Sequence, residues 1–193
     1  MAEVFEPTRY SPLSGLPTPR GGVEMTERPY VGKVNLRGNP DDREFRSSAQ
    51  KQLGLELPLV PNTWRSREDY TAYWLGPDEW LIYCADQSQF ATVDNLRLAL
   101  GQSHCAVTDV SDYYLVIRLT GDKARELLTK GTPLDVHPTV FAAGMCAQTC
   151  IGHASVLISC LDDAPTFDMQ VRWSFAEYLW NFLVEGTREY EQS

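Results

Sequence analysis

Apolar residues recur along this chain with two different periods, and the clearest pattern lies in residues 107–151. The β-branched and aromatic run 114–119 predicts a strand that ends at Thr120-Gly121-Asp122, where a glycine and an acid favour the start of a helix. Leu127 and Leu128 then give that helix an apolar face. Lys130-Gly131 favours its end, because a cation suits the carbonyl terminus and glycine accepts a left-handed conformation. This block therefore predicts strand, helix, turn and strand.

Turn signals between apolar runs predict two hairpins. Residues 73–75 and 80–83 flank Gly76-Pro77-Asp78-Glu79, and residues 145–151 and 154–160 flank Gly152-His153. Residues 167–171 alternate apolar and polar side chains, which is typical of a half-buried strand.

Two further helices are predicted from helical spacing and from possible capping boxes. The first covers about residues 87–100, begins with Asp86 and Gln89, and has an apolar face of Phe90, Val93, Leu96 and Leu100. The second begins with Ser174 and Glu177 and ends near Gly186. Its predicted buried face consists of Phe175, Leu179, Phe182 and Leu183.

The predicted order is β β α β α β β β α, which indicates an α+β fold with a mainly antiparallel sheet and helices on one side. We expect this α+β domain to cover residues 62–193. Residues 1–61 contain eight of the twelve prolines and no obvious period, so we expect an extended N-terminal arm there. Its apolar residues favour an arm that lies on a surface, and a disordered leader is the alternative.

Charge and targeting signals restrict the possible partners and location. The net charge is −9, and all of the excess acid lies after residue 50. This field repels phosphate backbones and anionic lipid, so we expect no nucleic acid and no membrane as partner. The first residues lack the apolar run of a secretion signal, and the five cysteines show no regular spacing. We therefore expect a cytoplasmic protein with reduced thiols.

Several segments together resemble one family. They are DVSDYYLVIRLTG, ARELLTKGTPLDVHP, the F..G.CAQT pattern that starts at Phe141, RWSFAEYLW and WLGPDEWLIY. This combination resembles the gamma subunit of heterotetrameric sarcosine oxidase over roughly residues 64–185. Thr132 departs from the resemblance, because a cysteine is expected there. The resemblance implies the fold of the folate-binding domain of aminomethyltransferases.

The resemblance also implies a function. The complex oxidatively demethylates sarcosine to glycine, forms peroxide and transfers a one-carbon unit to tetrahydrofolate. Its FAD, FMN, NAD, tetrahydrofolate and zinc would belong to the alpha, beta and delta subunits, and this chain would be a gamma scaffold without an active site. Two alternatives stay open: a free-standing folate-dependent aminomethyltransferase-like protein, and a homomeric interaction module.

No catalytic, cofactor-binding or metal-binding residue is predicted in this chain. The sequence has no GxGxxG after a strand and no GxxxxGK[ST] phosphate loop. Cys146 and Cys150, with His137 and His153, lack the paired spacing of structural zinc sites, so buried small side chains are the preferred interpretation. His104, Cys105, Asp109, Ser111 and Asp112 are close in sequence, but short polar residues of this kind usually bond to the local backbone.

Aromatic and apolar residues of the arm and of two predicted elements suggest an interface with other subunits, because large aromatics are enriched there. The alternative is a single wide core, since tryptophan is usually highly buried. The candidate interface residues are Tyr10, Leu13, Leu16, Tyr30, Trp74, Trp80 and Trp180.

Overall fold

The computed structural model describes residues 9–19 and 21–192, without the side chains of residues 191 and 192. The first eight residues of the predicted arm lie outside the described residues. Within the described chain the strands are β1 Glu24–Arg28, β2 Gly32–Gly38, β3 Trp64–Arg67, β4 Tyr70–Gly76, β5 Glu79–Cys84, β6 Cys105–Asp109, β7 Tyr114–Thr120, β8 Cys146–Ile151, β9 Ala154–Cys160 and β10 Phe167–Arg172. The α-helices are α1 Arg43–Leu53, α2 Ser88–Leu100, α3 Ala124–Thr129 and α4 Ala176–Gly186. Short 3₁₀ turns lie at Ser111–Tyr113, Trp173–Phe175 and Arg188–Gln192.

The strands form two antiparallel sheets of five strands each. The first sheet has the order β1-β7-β10-β9-β8, and the second has the order β3-β4-β5-β2-β6. The α+β class with antiparallel strands is thereby confirmed, although the strands form two sheets and not one.

Alternate residues of each strand point to opposite faces, and this places the layers. Ile117, Leu119 and Met169 of the first sheet pack with the buried residues of α3 and α4. The intervening Val116 packs instead against Tyr83 of the second sheet, in a cluster between the sheets. The outer face of the second sheet packs on α1 and α2. The molecule therefore has four layers, with helices outside and two facing sheets inside.

The prediction of an extended arm without helix or strand is wrong for residues 24–53. β1 pairs with β7, and β2 lies between β5 and β6 in the second sheet. Helix α1 is capped by Asp42, whose carboxylate accepts from the amides of Glu44 and Phe45. The prolines of this region that the structure describes lie in the connections between elements, and the alternation within β2 is too short to stand out against the composition around it.

Residues 9–19, which we call the N-terminal strap, have no helix or strand and lie on the chain's own body. Leu13 is buried in the first core, and Trp180 Nε1 donates to the Pro17 carbonyl at 2.6 Å. These contacts order the strap without a partner subunit.

The hairpins β4–β5 and β8–β9, strand β7 and helix α3 are confirmed at the predicted places. Gly131, however, does not adopt a left-handed conformation. Its Cα packs closely against the Phe182 ring: a Cβ added to Gly131 would lie only 2.5 Å from Phe182 Cε1. Close packing, and not the φ angle, requires glycine there.

Both predicted capping boxes are wrong, because neither α2 nor α4 has a side-chain cap. Helix α4 begins only at Ala176, after a 3₁₀ turn that contains Ser174. This shift rotates its buried face, so Phe175 is exposed and Trp180 is buried. On α2, Phe90 is 61% exposed.

Candidate functional site

The space between the two sheets contains an ionic cluster built around a buried carboxylate. Asp168 of β10 lies directly opposite Arg118 of β7, and its side chain is only 3% exposed. Arg118 donates to both carboxylate oxygens, from Nε at 2.8 Å and from Nη2 at 2.9 Å. Arg28 at the end of β1 donates from Nη1 to Oδ2 at 2.9 Å. Three neighbouring strands therefore share one carboxylate, whose hydrogen bond raises the pKa of Arg118.

Polar side chains continue from this cluster across the gap to the second sheet. The Tyr83 hydroxyl donates to Gln170 Oε1 at 2.5 Å, and the Tyr73 ring lies 4.8 Å from the Tyr83 ring between centroids. Burial raises the pKa of both phenols well above the ordinary value. They are therefore neutral hydrogen-bonding groups.

Lys33 is an unusual residue because its charge is buried near the start of β2. The residue is 3% exposed, and its Nζ donates to the carbonyl oxygens of Val31 at 2.7 Å and Ser111 at 3.4 Å. No carboxylate of the described residues forms an ion pair with it. Burial lowers its pKa from 10.5 to about 8.

Lys33 lines a cavity of about 290 Å³ that the N-terminal strap covers. Arg9 Nη1 of the strap donates to Asp86 at 2.6 Å, and its guanidinium lies 4.8 Å from the centroid of the Tyr30 ring. Next to it, the Tyr10 ring packs edge-on against Trp173, at 6.1 Å between centroids. A second cavity of about 570 Å³ lies beside the ionic cluster, and Arg28, Tyr30 and Val31 line both.

The connection between β1 and β2, which lies between these two cavities, is conformationally strained. Tyr30 has a φ of +58°, in the left-handed region that side chains other than glycine rarely adopt. Such strain occurs where surrounding contacts fix the backbone, often at ligand-binding sites.

The chemistry-bearing residues considered from sequence do not form a reactive group in the described part of the chain. Asp109 Oδ1 accepts from the Ser111 amide at 2.9 Å, which confirms its local backbone role. Burial raises the pKa of Cys146 to about 12, so its thiol is a poor nucleophile. Cys150 is exposed, contrary to the expectation that both cysteines are buried. No group of three His, Cys, Asp or Glu residues that could hold a metal occurs within residues 9–19 and 21–192.

The structure separates the seven predicted interface residues into three groups. Tyr10 and Tyr30 are exposed at the rim of the cavity, Tyr10 by 67%. Leu16 and Trp74 are half-buried. Leu13, Trp80 and Trp180 are buried within the chain itself. The burial of these three fits the alternative of a single core within the chain, because β5, which contains Trp80, is covered on both faces.

Sequence reasoning missed Lys33, Arg28, Arg118, Asp168 and Gln170. Each occupies a position where strand alternation indicates a polar face directed to solvent. The sequence carried no signal for these residues, because its pattern predicts six strands in one sheet, whereas the described chain has ten strands in two sheets whose facing sides cover these positions.

Comparison with known structures places the fold in a class. Aminomethyltransferase T of the glycine cleavage system from Bartonella henselae superposes with a TM-score of 0.65 at 13% identity, covering 86% of this chain and 46% of that one. At this identity the likeness concerns the fold alone. The four-layer architecture is thus that of an aminomethyltransferase-like α+β domain.

Sequence comparison defines the family more narrowly. Residues 37–189 match the model of the sarcosine oxidase gamma subunit family, and the chain belongs to this family. The sarcosine oxidase gamma subunit of Corynebacterium sp. strain U-96 is 32% identical over 169 residues, which cover 87% of this chain and 80% of that relative. The gamma subunit of Corynebacterium sp. strain P-1 is 28% identical over 171 residues, covering 88% and 82%.

A solved structure agrees with this assignment. A chain of heterotetrameric sarcosine oxidase from Corynebacterium sp. U-96, solved in complex with pyrrole 2-carboxylate, has a TM-score of 0.83 at 26% identity, covering 91% of this chain and 90% of that one. In the part of our chain that the structure describes, none of the helices has the length and apolar character needed to cross a bilayer.

Proposed function

We propose that this chain is the non-catalytic gamma subunit of a heterotetrameric sarcosine oxidase. The observation that carries the proposal is the family match over residues 37–189, which includes both sheets except β1 and most of β2. In this role the chain assembles with alpha, beta and delta subunits. The complex oxidatively demethylates sarcosine to glycine, forms peroxide and passes the one-carbon unit to tetrahydrofolate.

In this proposal FAD, FMN, NAD, tetrahydrofolate and zinc are held by the partner subunits. It is supported by the pairing of Asp168 with two arginines of its own chain, which makes this carboxylate part of a structural ion pair. We also propose a cytoplasmic location, which fits five cysteines that are all free thiols.

We further propose that one aromatic surface contacts the partner subunits. Phe175 and Tyr178 at the start of α4 are exposed, and their rings lie 6.2 Å apart between centroids in an edge-on arrangement. Tyr10 lies against Trp173, which precedes Phe175 in the same 3₁₀ turn. Exposed aromatics concentrated in this way are typical of interface cores.

Co-expression with the three partner subunits tests the proposal. An affinity tag on this chain should recover all four subunits together with sarcosine-dependent oxygen consumption. The double variant Phe175→Ser/Tyr178→Ser should reduce recovery of the partners. The matched control is Phe90→Ser/Leu98→Ser on α2, which changes two exposed apolar residues in the opposite outer layer and should assemble normally.

The same purification distinguishes the two alternative functions. A homomeric interaction module would be recovered without partners, as an oligomer of this chain. A free-standing aminomethyltransferase-like protein would bind tetrahydrofolate on its own with high affinity. The isolated chain of a gamma subunit should be colourless and free of metal, so stoichiometric flavin or zinc on it would contradict the proposal.

A further inference from the structure

The cavity beneath the N-terminal strap has a distinct distribution of charge. Lys33 lies in its wall with no carboxylate paired to it in the described chain, whereas Asp86 is paired with Arg9. Glu27 and Asp112 also line the cavity, and neither forms an ion pair with a described residue. Arg28 also lines the cavity, but it is paired with Asp168. The unpaired charges that the described residues place in the walls are therefore one buried cation and two carboxylates.

Half of the uncharged wall residues are aromatic, namely Tyr10, Tyr30, Tyr114 and Trp173. One face of the Tyr30 ring lies against the guanidinium of Arg9. Aromatic faces combined with acidic groups attract alkylated ammonium ions, because the ring quadrupole stabilises a cation that is only weakly hydrated. Tyr10 and Tyr30 are exposed and mark the mouth, whereas Lys33 is buried and marks the deep end.

A further unsatisfied group lies beside this cavity. Gln89 is buried and lines it, and its Oε1 has no hydrogen-bond partner among the described atoms. Lys33 Nζ, which has three hydrogens, makes one good hydrogen bond and one long one. Buried polar groups are normally paired, so both residues indicate that the site is complete only with a ligand.

From these observations we infer that the cavity binds a small zwitterion, with its carboxylate at Lys33 and its N-alkylated ammonium among the aromatic side chains and carboxylates of the mouth. A dianion such as phosphate fits less well, because Asp112 and Asp109 near Lys33 repel both of its charges, whereas the ammonium group of a zwitterion offsets their repulsion of its single carboxylate. The class includes the substrate of the proposed complex, yet the inference concerns this chain alone and does not depend on assembly.

Isothermal titration of the purified full chain with glycine betaine tests the inference. Two control compounds each remove one end of the zwitterion. In 3,3-dimethylbutanoate a carbon replaces the ammonium nitrogen with nearly the same shape, and choline lacks the carboxylate. Betaine should bind with one site per chain, and both controls should bind at least about fivefold more weakly. Equal binding of betaine and either control would refute the charge assignment.

Substitutions locate the site. Lys33→Met should weaken betaine binding by about tenfold or more, whereas Lys51→Met on the exposed side of α1 should not change it. Trp173→Leu should weaken binding, and Trp74→Leu, which changes a half-buried tryptophan outside the cavity, should not. Circular dichroism verifies that each variant is folded. Binding that is unaffected by Lys33→Met and Trp173→Leu would overturn the inference.

Proton uptake gives a readout that needs no variant. Lys33 is surrounded by Asp109, Asp112, Cys84 and Arg28, and its pKa of about 8 leaves much of it neutral at pH 8.5. A bound carboxylate holds the ammonium form, so binding at pH 8.5 should take up a proton, and binding at pH 6.5 should not. Titrations in two buffers of different ionisation enthalpy measure this. Our inference is wrong if the chain binds no betaine and the Lys33→Met variant no longer recovers the partner subunits. In that case the cavity binds a side chain of a partner subunit.

Discussion

Asp168→Asn removes the charge of a buried carboxylate that two arginines share. Loss of one member of a buried ion pair costs about 3–5 kcal/mol in proteins, because the remaining charge has no partner. Here the cost is smaller, since the side chains of Arg28 and Arg118 are 40% and 33% exposed and water can solvate them again. Asparagine also keeps one acceptor. We therefore expect a loss of about 2–3 kcal/mol in the free energy of unfolding.

Urea denaturation of the full chain at pH 7 measures this loss, and thermal unfolding should show a decrease in Tm of about 5–10 °C. The control is Asp163→Asn, which removes an exposed carboxylate near the same strand and should leave stability unchanged. The triple variant Asp168→Leu/Arg118→Met/Arg28→Met should recover part of the loss, because an apolar replacement leaves no buried charge. Equal stability of the Asp168→Asn and Asp163→Asn variants would refute the proposed energetic role of the cluster.

Three further predictions concern stability. Lys33→Met should raise the free energy of unfolding by up to about 3 kcal/mol at pH 7. Burial of the charged amine lowers the Lys33 pKa, which means that the protonated side chain is more stable in the unfolded chain than in the folded one. Between pH 8 and 10.5 the unfolded chain still binds this proton and the folded chain has lost it, so the stability of the wild type should rise relative to that of the variant as the pH increases. A difference in urea midpoints that stays constant over this pH range would contradict the prediction. Gly131→Ala should lower the free energy of unfolding by about 1–3 kcal/mol, because the new methyl group would push the Phe182 ring out of place. Gly76→Ala, whose new Cβ would lie 3.7 Å from its nearest neighbour, should cost far less, and equal decreases in Tm for the two variants would exclude the packing argument. Asp42→Ala should lower the free energy of unfolding by about 1 kcal/mol because it removes the cap of α1, whereas Ser174→Ala should change it very little because Ser174 caps no helix. A larger loss for Ser174→Ala than for Asp42→Ala in chemical denaturation would show that the helix starts are misplaced.

The sequence predicted those elements whose signals are local. The β4–β5 and β8–β9 hairpins depend on turn residues between their strands, and α3 depends on spacing within a few residues. Strand β2 depends instead on pairing with residues 79–84 and 105–109, far along the chain. Composition could not reveal this pairing, and the high proline content of the region concealed an alternation that is present in Val34 and Leu36.

The second sheet also explains what was missed in the candidate site. A polar residue at an alternate strand position normally faces water, and Lys33 and Asp168 both occupy such positions. In this fold their faces are covered by the other sheet or by the strap. Trp80 was misassigned for the same reason, because one face of its hairpin was expected to be free whereas β5 is an inner strand. The location of polar groups between layers is a tertiary property, which periodicity within a single strand does not contain.

The separation of β1 and β2 into different sheets has a consequence for biosynthesis. These strands leave the ribosome before the other described strands, but β2 must wait for residues 79–109 and β1 for residues 114–120. At about 5–20 residues per second, β1 remains without its neighbour for about 5–20 s after it emerges. Unpaired strand edges invite association with other nascent chains during this interval. The cellular yield of the subunit should therefore depend on chaperones that cover residues 24–38 before any partner subunit is encountered.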